Sequence, residues 1–128
     1  MNIPRIIAID DNQTNIILLE KLLNPRYQII GFTNSIKAWE YIQKNSIDII
    51  LADMVMPCMS GLDLLKKVKE IHPGIPFIII SAYDKKKYIH EAHKLGAYRY
   101  LVKPFNPLEF IDFIEETIRR NIPGTPSG

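Results

Sequence analysis

The sequence predicts an α/β domain built on a doubly wound, five-stranded parallel sheet with five helices. Three observations lead there. Five short apolar runs alternate with five longer segments of helical period. Runs one, three and four are nearly continuous and rich in isoleucine, as strands buried on both faces of a parallel sheet are. Polar residues able to do chemistry follow four of the five runs directly, where open α/β sheets form their sites.

The runs are Ile6-Ile7-Ala8-Ile9, Tyr27-Gln28-Ile29-Ile30-Gly31-Phe32, Ile47-Asp48-Ile49-Ile50-Leu51-Ala52, Phe77-Ile78-Ile79-Ile80 and Tyr98-Arg99-Tyr100-Leu101-Val102. The first helix is expected over 13–24, with Ile16, Leu19, Leu22 and Leu23 on one face and Pro25 beyond its end. The second, over 35–45, groups Ala38, Trp39 and Ile42 and takes Ser35 as its N-cap. The third, over 61–71, carries Leu62, Leu65, Val68 and Ile71 and ends before His72-Pro73-Gly74. The fourth, over 84–95, opens on Asp84 as cap and stops at Gly96. The fifth, over 107–120, starts with a proline in its first turn and aligns Phe110, Ile111, Ile114 and Ile118. Residues 121–128, rich in proline and glycine, read as a loose C-terminal tail or the start of a linker, which leaves 1–120 as the domain.

A chain of 128 residues suits one domain with a core of its own. At 47% hydrophobic and 23% charged it is neither disordered nor fibrous. A net charge of +2 gives no strong field for nucleic acid or an anionic membrane. Cys58 is the single cysteine, so no internal disulfide can form, which fits a reducing compartment. No apolar run approaches the ~20 residues of a membrane helix, and Asp10-Asp11 come too early for a signal peptide. A soluble, cytoplasmic protein is expected.

Asp10 and Asp11 follow run one, Asp53 run three, Ser81 run four and Lys103 run five. Each alone reads more readily as a cap, a turn or a solvated charge. As a set they would converge on one rim. Three like charges need a compensating cation, and a hard divalent ion such as Mg²⁺ suits oxygen ligands. Lysine is a point charge suited to a phosphoryl oxygen, and a carboxylate can be the nucleophile that forms an aspartyl phosphate. The set therefore reads as a phosphoryl-transfer site, which works by positioning and charge neutralisation.

Asp10-Asp11-Asn12, Asp53-Met54-Val55-Met56-Pro57 with Gly61, Ser81-Ala82 and Lys103-Pro104-Phe105, in this order, resemble the receiver domain of two-component response regulators, over Ile6 to Arg120. The resemblance implies a single chemotaxis-regulator-like receiver, of flavodoxin-like fold with strand order 2-1-3-4-5. It implies Asp53 as phosphoacceptor and a histidine kinase or histidine phosphotransfer protein as donor. Mg²⁺ would be held by Asp11, by Asp10 directly or through water, by Asp53 and by the Val55 carbonyl. Ser81 and Lys103 would hold phosphoryl oxygens, with Ser81 and Tyr100 as switch residues. Lys103-Pro104 would be a cis peptide. Val55 and Tyr83 would flank the approach of hydrolytic water and set the phospho-lifetime. Ile17, off the apolar stripe of the first helix, would meet the donor. The face formed by helix four, strand five and helix five would meet the output partner or domain.

Some of these residues also have plainer readings. Tyr100 could simply pack, and Cys58 faces too many acids to be a reactive thiol. Trp39, Met54, Met56 and Met59 read as packing, and His72, His90 and His93 as surface. Lys86, Lys87, His90 and Lys94 form a basic arc on the fourth helix, opposite Tyr88, Ile89 and Ala92; a solvated face is the commoner reading and an acidic partner the alternative. No nucleic-acid motif accompanies the arc. The rival functions are a Mg²⁺-dependent aspartyl-phosphate phosphatase and a pseudo-receiver that only binds partners. The first wants an acid where Val55 stands, and the second would lack one of the five site residues, all of which are present. The reading is a switch that catalyses only its own phosphorylation and slow dephosphorylation, not an enzyme in the metabolic sense.

Overall fold

The computed structural model describes residues 3–122. The elements alternate as expected: β1 (Arg5–Ile9), α1 (Gln13–Leu23), β2 (Gln28–Phe32), α2 (Ser35–Lys44), β3 (Ile49–Ala52), α3 (Gly61–Ile71), β4 (Phe77–Ser81), α4 (Lys86–Lys94), β5 (Arg99–Val102) and α5 (Pro107–Asn121). The strands form one parallel sheet in the order β2-β1-β3-β4-β5.

Alternation along the strands divides the isoleucines between two layers. Ile7, Ile9, Ile50, Ala52, Phe77 and Ile79 meet Ala38 and Ile42 of α2, Leu64, Leu65 and Val68 of α3, and Ala92 of α4. Ile6, Ala8, Ile49, Leu51, Ile78 and Ile80 meet Leu19 and Leu23 of α1 and Phe110, Ile114 and Ile118 of α5. Both faces are covered, which is why these runs carry no polar alternation.

Several local expectations are corrected. The N-cap of α2 is Asn34, whose side-chain oxygen accepts from the backbone N–H of Ile36 and Lys37; Ser35 is fully buried and donates its hydroxyl to the Pro57 carbonyl. Asp84 caps nothing, because α4 begins at Lys86 after an N-cap, Lys85, that makes no side-chain cap bond. On α3 the buried stripe is Gly61, Leu64, Leu65 and Val68. Ile71 ends up exposed beside the open end of that stripe, and Leu62 lies only half-buried. On α5, Thr117 joins the buried face with its hydroxyl donated to the Phe113 carbonyl, and Ile111 is half-buried. Helix α5 runs one residue past the expected end, to Asn121, and the rest of the expected tail, 123–128, lies outside the described residues.

Lys103–Pro104 is cis, as expected, and so is Asn24–Pro25, which was not expected. Gly96 follows the α4 C-cap at φ 105°, a left-handed conformation that suits glycine.

Candidate functional site

The sheet's hydrogen bonding continues one residue beyond several strand ends. The backbone N–H of Asp10 donates to the Phe32 carbonyl at 3.1 Å, that of Asp53 to Ile9 at 3.0 Å and that of Lys103 to Ser81 at 2.8 Å. The site residues are thus fixed to the rim by the main chain.

Asp10 is buried. Its Oδ1 accepts from the Asn12 backbone N–H at 2.9 Å, and its Oδ2 accepts from Asn15 Nδ2 at 3.0 Å and Lys103 Nζ at 3.1 Å. Lys103 Nζ also stands 3.8 Å from Asp53 Oδ2. Asp11 is exposed and Asp53 intermediate, and one carboxylate oxygen from each of the three acids lies within 4.8 Å of the others. Three carboxylates and one ammonium sum to a formal charge of −2, which a divalent cation neutralises, and all three ligand atoms are hard oxygens. The donor set therefore fits a hard divalent metal ion. Burial is the largest influence on Asp53 and raises its pKa above the carboxylate value of 3.8; Lys103 lowers it, the Asp10 charge raises it, and the Val55 and Met54 N–H groups lower it.

The loop from β3 to α3 is pinned from beneath. Met54, Met56 and Met59 are buried under it, and the Gly61 N–H donates to the Met54 carbonyl at 2.8 Å. A Cβ on Gly61 would collide with the Asp53 carbonyl oxygen and press on Met54 Cα, so glycine is required by close approach. Cys58, at φ 74°, and Val55 are both exposed.

Ser81 is buried, and its oxygen accepts from the Tyr83 N–H at 3.2 Å. Tyr100 is also buried; its hydroxyl donates to the Tyr83 carbonyl at 2.7 Å and lies 3.3 Å from Met54 Sδ. Burial raises its phenol pKa, opposed by the Ser81 hydroxyl. The Tyr83 ring is about half exposed and leans on Tyr88, with centroids 5.7 Å apart. Ile17 is exposed, as its place off the stripe implied. Lys86, Lys87, His90 and Lys94 are exposed, with Ala92 buried behind them.

Two features escaped the sequence reading. The first is Asn15, a polar residue at the N-terminal end of the α1 stripe, one turn before Leu19, a placement that could have marked it. The second is a groove of about 580 Å³ between α1 and the β5–α5 loop, with Leu18, Leu22, Pro104 and Phe105 on its walls and Asp53 and Lys103 among its lining. Leu18 is more exposed than Ile17, 54% against 41%, so the sequence singled out the neighbour of the groove residue.

No helix among the described residues is long and apolar enough to cross a membrane. Residues 6–115 match the response regulator receiver domain family. The chain is 33% identical over 120 residues to sporulation initiation phosphotransferase F of Bacillus subtilis (strain 168), covering 93% of this chain and 94% of that one. It is 30% identical over 118 residues to the DNA-binding transcriptional regulator NtrC of Azospirillum brasilense, covering 92% of this chain but 24% of that protein. The expectation of no nucleic-acid contact is therefore confined to the stretch matched here. Among solved structures, a response regulator receiver domain protein from Clostridium thermocellum superposes with a TM-score of 0.84 at 30% identity, covering 91% of this chain and 95% of that one. A CheY-like receiver domain protein from Methanospirillum hungatei JF-1 reaches 0.89 at 23% identity, over 94% and 97% of the two chains, a likeness of fold. The chain belongs to the response regulator receiver domain family of two-component signalling.

Proposed function

We propose that this chain is a phosphoacceptor switch: Asp53 takes a phosphoryl group from a histidine kinase or histidine phosphotransfer protein. The observation that carries the reading is the meeting of Asp10, Asp11 and Asp53 with Lys103 at the rim of a receiver fold. The phosphotransferase name of a relative matched over 94% of its length supports a relay role. An Asp53 carboxylate oxygen attacks phosphorus in line; the O–P bond forms as the P–N bond to the donor imidazole breaks, and the imidazole leaves with the electron pair. Asp10, Asp11, Asp53 and the Val55 carbonyl would hold Mg²⁺, which when bound would neutralise charge at the transferred group. Lys103 moves from Asp10 toward a phosphoryl oxygen, and the Ser81 hydroxyl donates to another. Ser81 and Tyr100, already linked through Tyr83, pass the change to α4 and β5.

The donor approaches over α1, where Ile17 and Leu18 are exposed beside the groove. The output partner meets the α4–β5–α5 face. The receiver extends through the end of α5 at Asn121, in a cytoplasmic setting. The test is intact mass spectrometry after incubation with phosphoramidate. The parent gains one phosphoryl group in Mg²⁺ and none in excess chelator, and Asp53→Asn gains none. Undiminished labelling of Asp53→Asn would overturn the assignment.

A further inference from the structure

A carboxylate as buried as Asp10, which is 5% exposed, is costly unless both of its oxygens are hydrogen-bonded. Three donors answer it. The Asn12 backbone N–H holds Oδ1 at 2.9 Å, while Asn15 Nδ2 at 3.0 Å and Lys103 Nζ at 3.1 Å share Oδ2. Only the amide NH₂ of Asn15 can make its contact, because an ionised carboxylate accepts and does not donate.

The three donors differ in kind. The Asn12 N–H is main chain, and Asn15 is a short, uncharged side chain on the first turn of α1. Lys103 is a long, flexible cation that already stands 3.8 Å from Asp53 Oδ2 and is partly exposed. If Lys103 were the sole partner of Oδ2, its move to Asp53 would strand a buried anion, and the ammonium would instead stay bound to Asp10 and compete with any cation the acidic cluster holds.

We infer that Asn15 is a positioning residue for Asp10. Its amide keeps Oδ2 satisfied and aimed into the acidic cluster, so that Lys103 is free to leave and a divalent cation can take its place. The purpose of this arrangement rests on the phosphoacceptor reading above, but its physical content is an effect on metal affinity and is measured without phosphorylation. A purely structural role, tying α1 to the β1–α1 loop, would lower stability and leave metal affinity alone.

The experiment is a calorimetric Mg²⁺ titration of the unphosphorylated full chain at one fixed pH, with Mn²⁺ and its paramagnetic resonance signal as a second probe. The parent is compared with Asn15→Ala and Asn15→Leu; the leucine is close in size, favours helix and lacks the donor. Both variants should be folded by circular dichroism and bind the cation about tenfold more weakly, the scale on which residues behind metal ligands act. Asn15→Gln, which restores an amide, should recover part of the loss. If one apolar variant does not fold, the other decides. Affinity within twofold of the parent in a folded apolar variant would overturn the inference. Weakened binding together with normal labelling of Asp53→Asn would leave the positioning role standing and remove the phosphoacceptor reading instead.

Discussion

Replacing Lys103 by methionine keeps the length and apolar stem of the side chain and removes its charge. At an effective dielectric of about 20, the 3.1 Å and 3.8 Å contacts carry gross attractions of ~5 and ~4 kcal/mol. Desolvation of the ammonium cancels most of this, and breaking a buried pair typically costs about 3–5 kcal/mol. Lys103 is 25% exposed and Asp10 keeps the Asn12 and Asn15 donors, so the loss expected in chelator is lower, about 2 kcal/mol. For a domain of this size that is a fall in Tm of roughly 6–10 °C. Mg²⁺ should reverse the trend. At ten times its dissociation constant a ligand adds ~1.4 kcal/mol to the parent. If the variant, freed of the competing ammonium, binds about tenfold more tightly, it gains ~2.7 kcal/mol at the same concentration and the deficit shrinks to under about 1 kcal/mol. Thermal unfolding followed by circular dichroism, with chelator and with Mg²⁺, measures both. A variant as stable as the parent in chelator, or a deficit that Mg²⁺ leaves unchanged, would refute Lys103 as the charge that stands in for the metal.

Gly61→Ala should cost about 1–3 kcal/mol by overpacking against the Asp53 carbonyl and should slow phosphorylation by phosphoramidate; normal labelling would show that the loop yields without moving Asp53. Burial raises the Asp53 pKa, so protonating Asp53 favours the fold: its contribution is full below the unfolded value of 3.8 and is lost as pH rises through the folded value. In chelator, Asp53→Asn should therefore be more stable than the parent at pH 7, with the gap closing toward pH 3, as urea unfolding at several pH values would read. Tyr83→Ala should shorten the phospho-lifetime, and Val55→Asn with Tyr83→Glu should shorten it further, by about tenfold if the barrier falls by ~1.4 kcal/mol; unchanged decay after Tyr83→Ala would leave Tyr83 to its contact with Tyr88. Ile17→Ala and Leu18→Asp should slow transfer from the cognate donor protein, Leu18→Asp the more, without changing the rate with phosphoramidate; equal slowing with both donors would remove the docking surface.

The strands and the rim were legible because their signals are local. An apolar run followed at once by Asp10, Asp53, Ser81 or Lys103 needs no knowledge of distant contacts. Helix starts were less legible because Asn34 and Ser35 are both capping residues. What decides between them is the β3–α3 loop, whose Pro57 carbonyl takes the Ser35 hydroxyl from 22 positions away. The third helix misled for a related reason: spacing of three runs through Leu62, Leu65, Val68 and Ile71, but the sheet lies under Leu64 and Leu65. The groove beside Leu18 arises only when α1 is set against the loop after β5, and the Lys103–Asp10 contact spans 93 positions, whereas Asn15 reaches Asp10 across only five and was open to a closer reading. The inward placement of Tyr100 is likewise tertiary, since strand periodicity gives a residue's face and not the partner of its hydroxyl.

Helix α4 buries only Ala92, lacks a side-chain cap and an acid in its first turn, and begins on two lysines where its dipole disfavours positive charge. Each of the other helices buries at least three residues and has a capping side chain. Among the described helices, α4 therefore has the fewest fully buried residues to expose on opening, which sets it low on the ladder of partial unfolding reactions. Its amides should be the first helical ones to exchange with solvent. A perturbation at the rim too small to disturb the sheet is still large on that scale. Responsiveness in this chain is then a matter of where stability was left thin.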